Sequence, residues 1–238
     1  MILKFFRDSS GIGTMVIDNP PFNYLKNPVF CCKEELSSFL SAPDLKAAVI
    51  KGSGRNFCGG ADFEIFREQI GDAKSFSTNL NEGKELLEII RQAPVPVAAC
   101  IKGSCLGAGF EIALNCHFRF AADSAMFGFP ESDKNIFPGF SGTQAELPVH
   151  IRIGMILSGE FIRGEDAYKK GIVHYTAQAS GIEKMCYSYL ERLVGDKPPY
   201  LIHAVMQSIV SSHTMPREQA MLRETDLFIA VAAKSLSE

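Results

Sequence analysis

One stretch of the chain, residues 96–111, constrains the fold more than any other; it reads PVAACIKGSCLGAGFE. Its first half is a nearly continuous apolar run bounded by proline and glycine, which is typical of a strand buried on both faces. Three glycines (Gly103, Gly107 and Gly109) then let the backbone bend sharply and approach a ligand closely. Glu111 falls in the first turn of the predicted helix, where free backbone N–H groups point outward. The stretch therefore predicts a strand, a glycine turn and a helix start that together bind an oxygen.

Cys105, inside this turn, has two interpretations. Residues 103–107 fit G-x-C-x-G, a cysteine version of the nucleophile elbow of α/β-hydrolases. That elbow would need an acid and a histidine downstream, and none of the available histidines lies in a distinctive context; these are His150, His174, His203 and His213. The alternative is a small buried packing residue, since free cysteines are usually buried. The residues alone leave both interpretations open.

A second glycine turn follows the predicted strand Lys46–Lys51. Residues 51–62 read KGSGRNFCGGAD, and the absence of a G-K-[ST] ending excludes a Walker phosphate loop. Asp62 can cap the helix that we expect to follow. The chain thus repeats the sequence of strand, glycine turn and helix start. Two such turns can offer two N–H donors to one oxygen, which is an oxyanion hole.

The rest of the chain alternates strand and helix patterns, which predicts an α/β fold. We expect strands at Ile2–Arg7, Ile12–Asp18, Phe118–Ala122, Ala125–Phe129 and Ile172–Tyr175, and helices at Val29–Leu40, Ser75–Gln92 and Glu165–Lys170. We predict a core domain over residues 1–195 and a short helical segment over residues 196–238. Because so small a segment cannot bury the many apolar positions of residues 199–231, we expect it to form an oligomer interface.

Composition excludes several classes of protein. A formal net charge of −3 provides no basic surplus for binding nucleic acid. The seven cysteines form no C-x-x-C pair and no spaced Cys/His set, so we expect no metal site and a reducing compartment. Met1–Arg7 is too short and mixed for a signal peptide, and no apolar run reaches membrane length. We therefore expect a cytoplasmic protein that does not bind a membrane.

Several motifs in combination resemble the enoyl-CoA hydratase/isomerase (crotonase) family over residues 1–176. They are RNFCGGAD at 55–62, GAGFEIA at 107–113, FGFPE at 127–131, FPGFSGTQ at 137–144, NPPFN at 19–23 and AYKKGIV at 167–173. The resemblance implies a spiral of β-β-α units with a helical C-terminal appendage, assembled as a homotrimer or homohexamer. It also makes Cys105 a packing residue rather than a nucleophile.

The resemblance further implies roles for individual residues. Ala61 and Ala108 would donate the two backbone N–H groups to a thioester carbonyl, Glu111 and Glu131 would be the catalytic carboxyl groups, and Gly139 would help to hold the catalytic water. The same motifs give the candidate substrate-binding residues Arg55, Cys58, Gly60, Asp62 and Gly107. No cofactor is implied, because CoA or phosphopantetheine is part of the substrate.

We therefore predict an acyl-thioester lyase that hydrates or dehydrates an enoyl thioester of CoA or of an acyl-carrier protein. The enolate-like species would be held by two N–H donors, and two carboxyl groups that flank one water would transfer the protons, because the mutual repulsion of the neighbouring acids would keep one of them protonated. One alternative is isomerisation, decarboxylation or carrier-protein-linked dehydration through the same enolate. Another is a non-catalytic thioester-binding or scaffold subunit.

Three positions depart from the family pattern. Glu64 stands where hydratases often carry a lysine near the CoA phosphates, Ser141 interrupts the usual paired glycines, and Ala145 replaces a common arginine. The nearby cations left to meet a phosphate are Arg55, Lys51 and Lys102. We therefore expect weaker dependence on the CoA nucleotide than in ordinary hydratases.

Overall fold

The structure is a computed structural model and describes residues 2–237. Within this range the strands are β1 (Leu3–Phe6), β2 (Ile12–Ile17), β3 (Ala47–Gly52), β4 (Val97–Ile101), β5 (Ser104–Leu106), β6 (Phe118–Ala122), β7 (Met126–Gly128), β8 (Ile162–Arg163) and β9 (Tyr175–Ala177). The helices are α1 (Lys33–Leu40), α2 (Phe63–Gln69), α3 (Ala73–Arg91), α4 (Ala108–Leu114), α5 (Val149–Ser158), α6 (Gly164–Lys169), α7 (Ile182–Val194), α8 (Pro199–Thr214) and α9 (Arg217–Ser235). Two 3₁₀ turns lie at Pro130–Lys134 and Gly142–Gln144.

The larger sheet has the strand order β1-β2-β3-β4-β6-β9. The predicted hairpin is present, because β1 and β2 pair antiparallel. The other neighbouring strands of this sheet, in the order β2-β3-β4-β6-β9, pair parallel. Every residue of β4 is buried, as its continuous apolar run predicts for a central parallel strand. This sheet forms the core against which the helices pack.

The smaller sheet has the order β5-β7-β8, and it turns the chain into a spiral. From β4 the chain passes through β5 in the second sheet and then forms α4; from β6 it passes through β7 in the same way. Cys58, beyond the end of β3, forms an isolated parallel bridge with Cys105 of β5. Three successive passes therefore place one segment in each sheet, which is the predicted α/β spiral of β-β-α units.

Three sequence predictions about local structure were wrong. The segment between β4 and α4 is not a single glycine turn, because residues 104–106 pair with β7. The first helix begins at Lys33 instead of Val29, since the Phe30 carbonyl accepts the Ile2 N–H at 3.0 Å. The strand predicted at Ile172–Tyr175 instead begins at Tyr175, as β9. The N–H groups of residues 172 and 173 donate to the carbonyl of Ala167 and so cap α6.

The C-terminal helices α8 and α9 pack against each other. Helix α8 also contacts the core, where His203 Nε2 lies 3.1 Å from the Leu45 carbonyl. Ala220 is the one buried residue of α9 in the described part of the chain, and large apolar side chains such as Leu222 and Phe228 are exposed. The domain boundary at residue 195 stays a prediction. No helix within residues 2–237 is long and apolar enough to span a bilayer.

Candidate active site

The two glycine turns of the sequence lie side by side. Beyond β3 and β4 the backbones continue to pair: the Phe57 N–H donates to the Lys102 carbonyl at 2.8 Å, and the Leu106 N–H donates to the Cys58 carbonyl at 3.0 Å. Gly60 follows with a φ of +96°, and a Cβ there would lie 2.9 Å from the Leu106 carbonyl oxygen. Only glycine fits this conformation and this spacing without strain. The pairing therefore brings residues 60–62 against the start of α4.

This contact places two backbone N–H groups at one cavity. Ala108 is the first residue of α4, so its N–H has no intrahelical acceptor. Hydrogen bonds to Leu25 fix the residues on either side of Ala61. The Leu25 carbonyl accepts the Asp62 N–H, and the Leu25 N–H donates to the Gly60 carbonyl, both at 2.8 Å. Among residues 2–237, neither the Ala61 nor the Ala108 N–H donates to another group of the chain. Two free N–H donors that line one cavity are the kind of groups from which an oxyanion hole is built.

The cavity has a volume of about 400 Å³ and is mostly apolar. It lies between the two glycine turns, helices α2 and α3, and the segment 130–140. Its apolar wall is formed by Leu25, Phe63, Phe66, Ile70, Phe76, Leu80, Ile136, Phe137 and Phe140. A site of this kind binds a small molecule with an apolar portion and a few polar anchor points.

Glu111 projects from a buried helix into this cavity. Residues 108–113 of α4 are all buried, and Glu111 is 1% exposed. Its Oε1 accepts the N–H of Phe140 at 2.9 Å and the N–H of Gly142. Burial raises the pKa of this carboxyl to about 8; the charge of Glu131 adds to the shift, and the backbone donors oppose it.

Glu131 reaches the same cavity from the 3₁₀ turn Pro130–Lys134. A Cβ on Gly107 would lie 2.5 Å from its Oε1, so the carboxyl group packs directly over that glycine. Its Oε2 is buried, and no group of the described residues donates to it. Burial raises the pKa of this carboxyl to about 7. Burial, and not the mutual repulsion that was expected from the sequence, is therefore the main cause of the raised pKa of both acids.

Two carboxyl groups whose pKa values lie near neutrality can exchange protons with a ligand at physiological pH. Both line the cavity that also receives the Ala61 and Ala108 donors. The arrangement can therefore polarise a carbonyl oxygen and move a proton beside it.

The structure places some of the remaining predicted site residues in the lining of the cavity and others outside it. Gly60, Asp62, Gly107 and Gly139 line the cavity. Asp62 also caps α2, as predicted, by accepting the Ile65 N–H at 3.4 Å. The part of the chain that lines the cavity does not include Arg55, which is exposed, or Cys58, which is fully buried. The individual roles of these residues stay predictions.

The cysteines of the two turns are packing residues. The Cys58 thiol donates to the Asn23 carbonyl at 3.0 Å, and burial raises its pKa to about 12. Cys105 is fully buried in β5, and burial raises the pKa of its thiol well above the ordinary value. A nucleophilic cysteine needs an accessible thiolate, so the elbow interpretation is wrong.

The cations near the cavity are not those that the sequence indicated. Lys51 and Lys102 both pair with Glu183, Lys102 at 3.3 Å. Instead, Lys26 and Lys134 line the cavity, and Lys134 Nζ lies 4.3 Å from the centre of the Phe63 ring. The sequence offered no signal for Lys134; Lys26 lies three residues after the 19–23 motif, which could have drawn attention to it.

Sequence reasoning also missed the two asparagines that hold the first glycine turn. Asn23 is fully buried, and its Nδ2 donates to the carbonyls of Ser53 at 2.9 Å and Asn56 at 2.8 Å. The Asn56 side chain accepts the Ser104 N–H at 2.9 Å and so connects the first turn to the second. Their signals were two motifs: Asn23 is the last residue of NPPFN, and Asn56 is the second residue of RNFCGGAD. Within residues 2–237 no group of three or more His, Cys, Asp or Glu side chains could hold a metal ion.

A pair of free N–H donors beside two acids on an apolar cavity defines an enzyme site that activates a carbonyl compound. The enoyl-CoA hydratase/isomerase family model matches residues 7–238. The chain is 35% identical over 227 residues to a probable enoyl-CoA hydratase of Bacillus subtilis (strain 168), which covers 91% of this chain and 85% of that protein. It is 32% identical over 184 residues to an (E)-benzylidenesuccinyl-CoA hydratase of Thauera aromatica, over 76% of this chain and 70% of that protein.

The crystal structure of an enoyl-CoA hydratase from Polaromonas sp. JS666 superposes with a TM-score of 0.85 at 24% identity, over 96% of this chain and 90% of that chain. This similarity establishes the crotonase fold. Other relatives are multifunctional proteins, of which the chain spans about a quarter. The chain belongs to the enoyl-CoA hydratase/isomerase family and is an enzyme of that family.

Proposed function

We propose that the protein catalyses the reversible hydration of an enoyl-CoA thioester. The observation that carries the proposal is the meeting of Glu111 and Glu131 with the Ala61 and Ala108 N–H groups at one cavity. The names of the relatives support it, since two of them at 32–35% identity are called hydratases.

In the proposed reaction the thioester carbonyl accepts both N–H donors. One carboxylate takes a proton from water, whose oxygen attacks the β-carbon, and the electrons of the C=C bond move toward the α-carbon and the carbonyl oxygen. The other acid, still protonated, then protonates the α-carbon. Loss of one oxyanion donor typically reduces the rate ~10²–10³-fold, so the two backbone turns are as important as the acids.

The test is to add crotonyl-CoA and follow the loss of its conjugated absorbance. We expect rapid loss with the parent protein and almost none with Glu131→Gln. Binding of a saturated acyl-CoA, measured by calorimetry, should be the same for both proteins. Binding without hydration by the parent would contradict the proposal and favour an isomerase, a decarboxylase or a non-catalytic subunit, which product analysis would separate.

We further propose that the enzyme depends weakly on the CoA nucleotide and accepts a pantetheine arm on a carrier protein. Exposed Glu64 lies at the start of α2 and contacts Arg67 at 3.9 Å, while Lys51 and Lys102 are paired with Glu183. The comparison to make is kcat/KM for an acyl-CoA, the matching acyl-pantetheine and the acyl-carrier protein. A large advantage of intact CoA that Arg55→Ala or Lys26→Ala abolishes would contradict this proposal.

The assembly is proposed as a homotrimer or homohexamer. Exposed apolar side chains on α8 and α9 support it, among them Val205 at 49%, Leu222 at 65% and Phe228 at 71% exposed. Light scattering at micromolar concentration should give three or six times the 26.1 kDa chain mass. A monomeric mass would be inconsistent with it.

We also propose that the enzyme acts in the cytoplasm and needs no cofactor beyond the CoA or phosphopantetheine of its substrate. The seven cysteines are all free, which is usual in a reducing compartment. Cell fractionation tests the location. Full activity after dialysis against a chelator is the result expected for the absence of a metal requirement.

A further inference from the structure

The loop that holds Glu111 contains a strained residue. Ser141 has a φ of +136°, a backbone conformation that residues with a side chain rarely adopt. It lies between Phe140 and Gly142, the two residues whose N–H groups donate to Glu111 Oε1. The backbone conformation of Ser141 therefore decides whether both donors point at the carboxyl group.

A side-chain hydrogen bond connects Ser141 to the end of helix α4. Asn115 directly follows this helix, one turn after Glu111, and its Nδ2 donates to Ser141 Oγ at 2.9 Å. The same Nδ2 donates to the Glu111 carbonyl at 2.8 Å. Asn115 thus connects the helix that carries the acid to the loop that orients it.

The neighbouring glycine leaves this loop little freedom. A Cβ on Gly142 would lie 2.7 Å from Pro138 Cβ and 3.1 Å from Glu111 Oε1. The backbone at residue 142 thus lies directly against the acid, so a change in the conformation of Ser141 would alter the geometry between the Gly142 N–H and Glu111 Oε1.

Neither side chain of the pair lies in the substrate cavity. Asn115 and Ser141 line a second cavity of about 610 Å³, together with Arg91, His117 and Arg119. They are absent from the lining of the cavity that holds the two acids, in the part of the chain that the structure describes. Neither side chain can therefore touch a ligand in that cavity, so an effect on the reaction has to be transmitted through the residues of the 139–142 loop and the acid that the loop contacts.

We propose that Asn115 and Ser141 are positioning residues, whose side-chain hydrogen bond holds residues 140–142 in the strained conformation that presents two N–H donors to Glu111. The catalytic part of this inference rests on the proposed hydratase function. The orientation and titration of Glu111 do not depend on it.

Loss of the pair has a definite consequence for the acid. Donors to a carboxylate favour its ionised form, so a Glu111 that loses them has a higher pKa. The other titratable groups that line its cavity are Glu131, Asp62, Lys26 and Lys134. Of these, Glu131 is the group whose charge raises the pKa of Glu111 in the structure.

The experiment is a double-mutant cycle of Asn115→Ala and Ser141→Gly, with kcat, KM and the pH profile of kcat measured for each protein. Asn115→Ala should lower kcat by about tenfold or more, because small displacements of a catalytic group have large effects. KM should remain within about twofold, as expected for an effect confined to the acid. The limb of the pH profile due to Glu111 should move to higher pH.

Ser141→Gly should retain most of the activity, since glycine adopts a positive φ without strain. In that background Asn115→Ala should have little further effect. Asn81→Ala, an exposed asparagine on α3, is the matched control and should behave like the parent. Equal losses from Asn115→Ala in both backgrounds, or an unchanged kcat and pH profile in the single variant, would overturn the proposal.

A readout that does not use activity separates this inference from the proposed function. The difference in unfolding free energy between the parent and Glu111→Gln grows from the ordinary carboxyl pKa to the pKa of Glu111 in the folded protein, so the pH at which it stops growing reports the titration of Glu111. Between Asn115→Ala and the double variant Asn115→Ala/Glu111→Gln this difference should keep growing to a higher pH, even if no enoyl thioester is hydrated. An unchanged pH range would contradict the positioning role whatever reaction the enzyme catalyses.

Discussion

The two acids of the cavity occupy contrasting surroundings. Glu111 lies on a helix whose residues 108–113 are buried, and two backbone N–H groups fix one of its oxygens. Glu131 lies on a 3₁₀ turn in an irregular segment, and its buried Oε2 receives no hydrogen bond from the described residues. Burial raises the pKa of both, to about 8 and about 7. Burial is thus the main cause of the raised pKa of both acids, whereas the hydrogen-bond donors that fix the orientation of the carboxyl group are seen at Glu111.

The largest effects should come from neutralising either acid. We expect Glu111→Gln and Glu131→Gln each to lower kcat by ~10²–10⁴-fold, the usual contribution of a general acid or base. The amide oxygen introduced by Glu111→Gln can still accept the two backbone N–H groups, so the loop should stay in place. Steady-state kinetics with crotonyl-CoA give the loss, and calorimetry with a saturated acyl-CoA is the binding control. Near-parental kcat in either variant would remove that acid from the mechanism.

A second substitution is directed at Glu131, whose carboxyl group packs over Gly107. A Cβ at Gly107 would meet Glu131 Oε1 at 2.5 Å, and the φ of +49° there disfavours any side chain. We expect Gly107→Ala to lower kcat by about 10²-fold, since a displaced catalytic group loses much of its effect. Gly154→Ala is the matched control, because nothing lies within 4 Å of its Cβ position on α5. Equal kcat values for the two alanine variants would show that Glu131 does not need its observed position.

The raised pKa values predict how stability depends on pH. The folded state holds a proton on Glu111 between pH 4.5, the ordinary carboxyl value, and about pH 8, where the unfolded chain has lost it. Stability due to this group therefore falls as pH rises through that window. Glu111→Gln should match the parent near pH 4 and be more stable by on the order of 1–4 kcal/mol at pH 9.

Denaturant unfolding at the two pH values measures this difference. Glu131→Gln should show the same trend over a lower window, ending at about pH 7. A Glu111→Gln variant that is less stable than the parent at pH 9 would mean that this acid is ionised at little cost in the fold.

The smallest effects should come from the cations near the cavity, which touch neither acid. Lys26 lines the cavity, and exposed Arg55 does not. An exposed charge pair is worth at most ~1 kcal/mol, so Lys26→Ala should raise KM for an acyl-CoA about fivefold or less and Arg55→Ala by less still, with kcat unchanged. Kinetics at two salt concentrations measure this. A larger effect of Arg55→Ala would identify it as the main phosphate contact.

Local sequence patterns determined much of this protein. The apolar run before Gly103 predicted a buried central strand, and the paired glycines at 59–60 predicted a backbone turn before a capped helix; both are present. These features depend on residues that are neighbours in the chain, because glycine conformations, helix caps and strand burial are local properties. The spiral fold and the two candidate acids were predicted only from the family resemblance, which motifs such as those at 107–113 and 127–131 carry.

Only the tertiary structure decided the surroundings of the acids. The sequence could not show that Asn115 and Ser141 hold the loop around Glu111, or that Glu183 pairs with both Lys51 and Lys102. It also attributed the proton affinity of the two acids to their mutual repulsion, whereas burial is the larger cause. A pKa and an ion pair depend on the desolvation and the donors that distant segments bring together, and those distances exist only once the chain has folded.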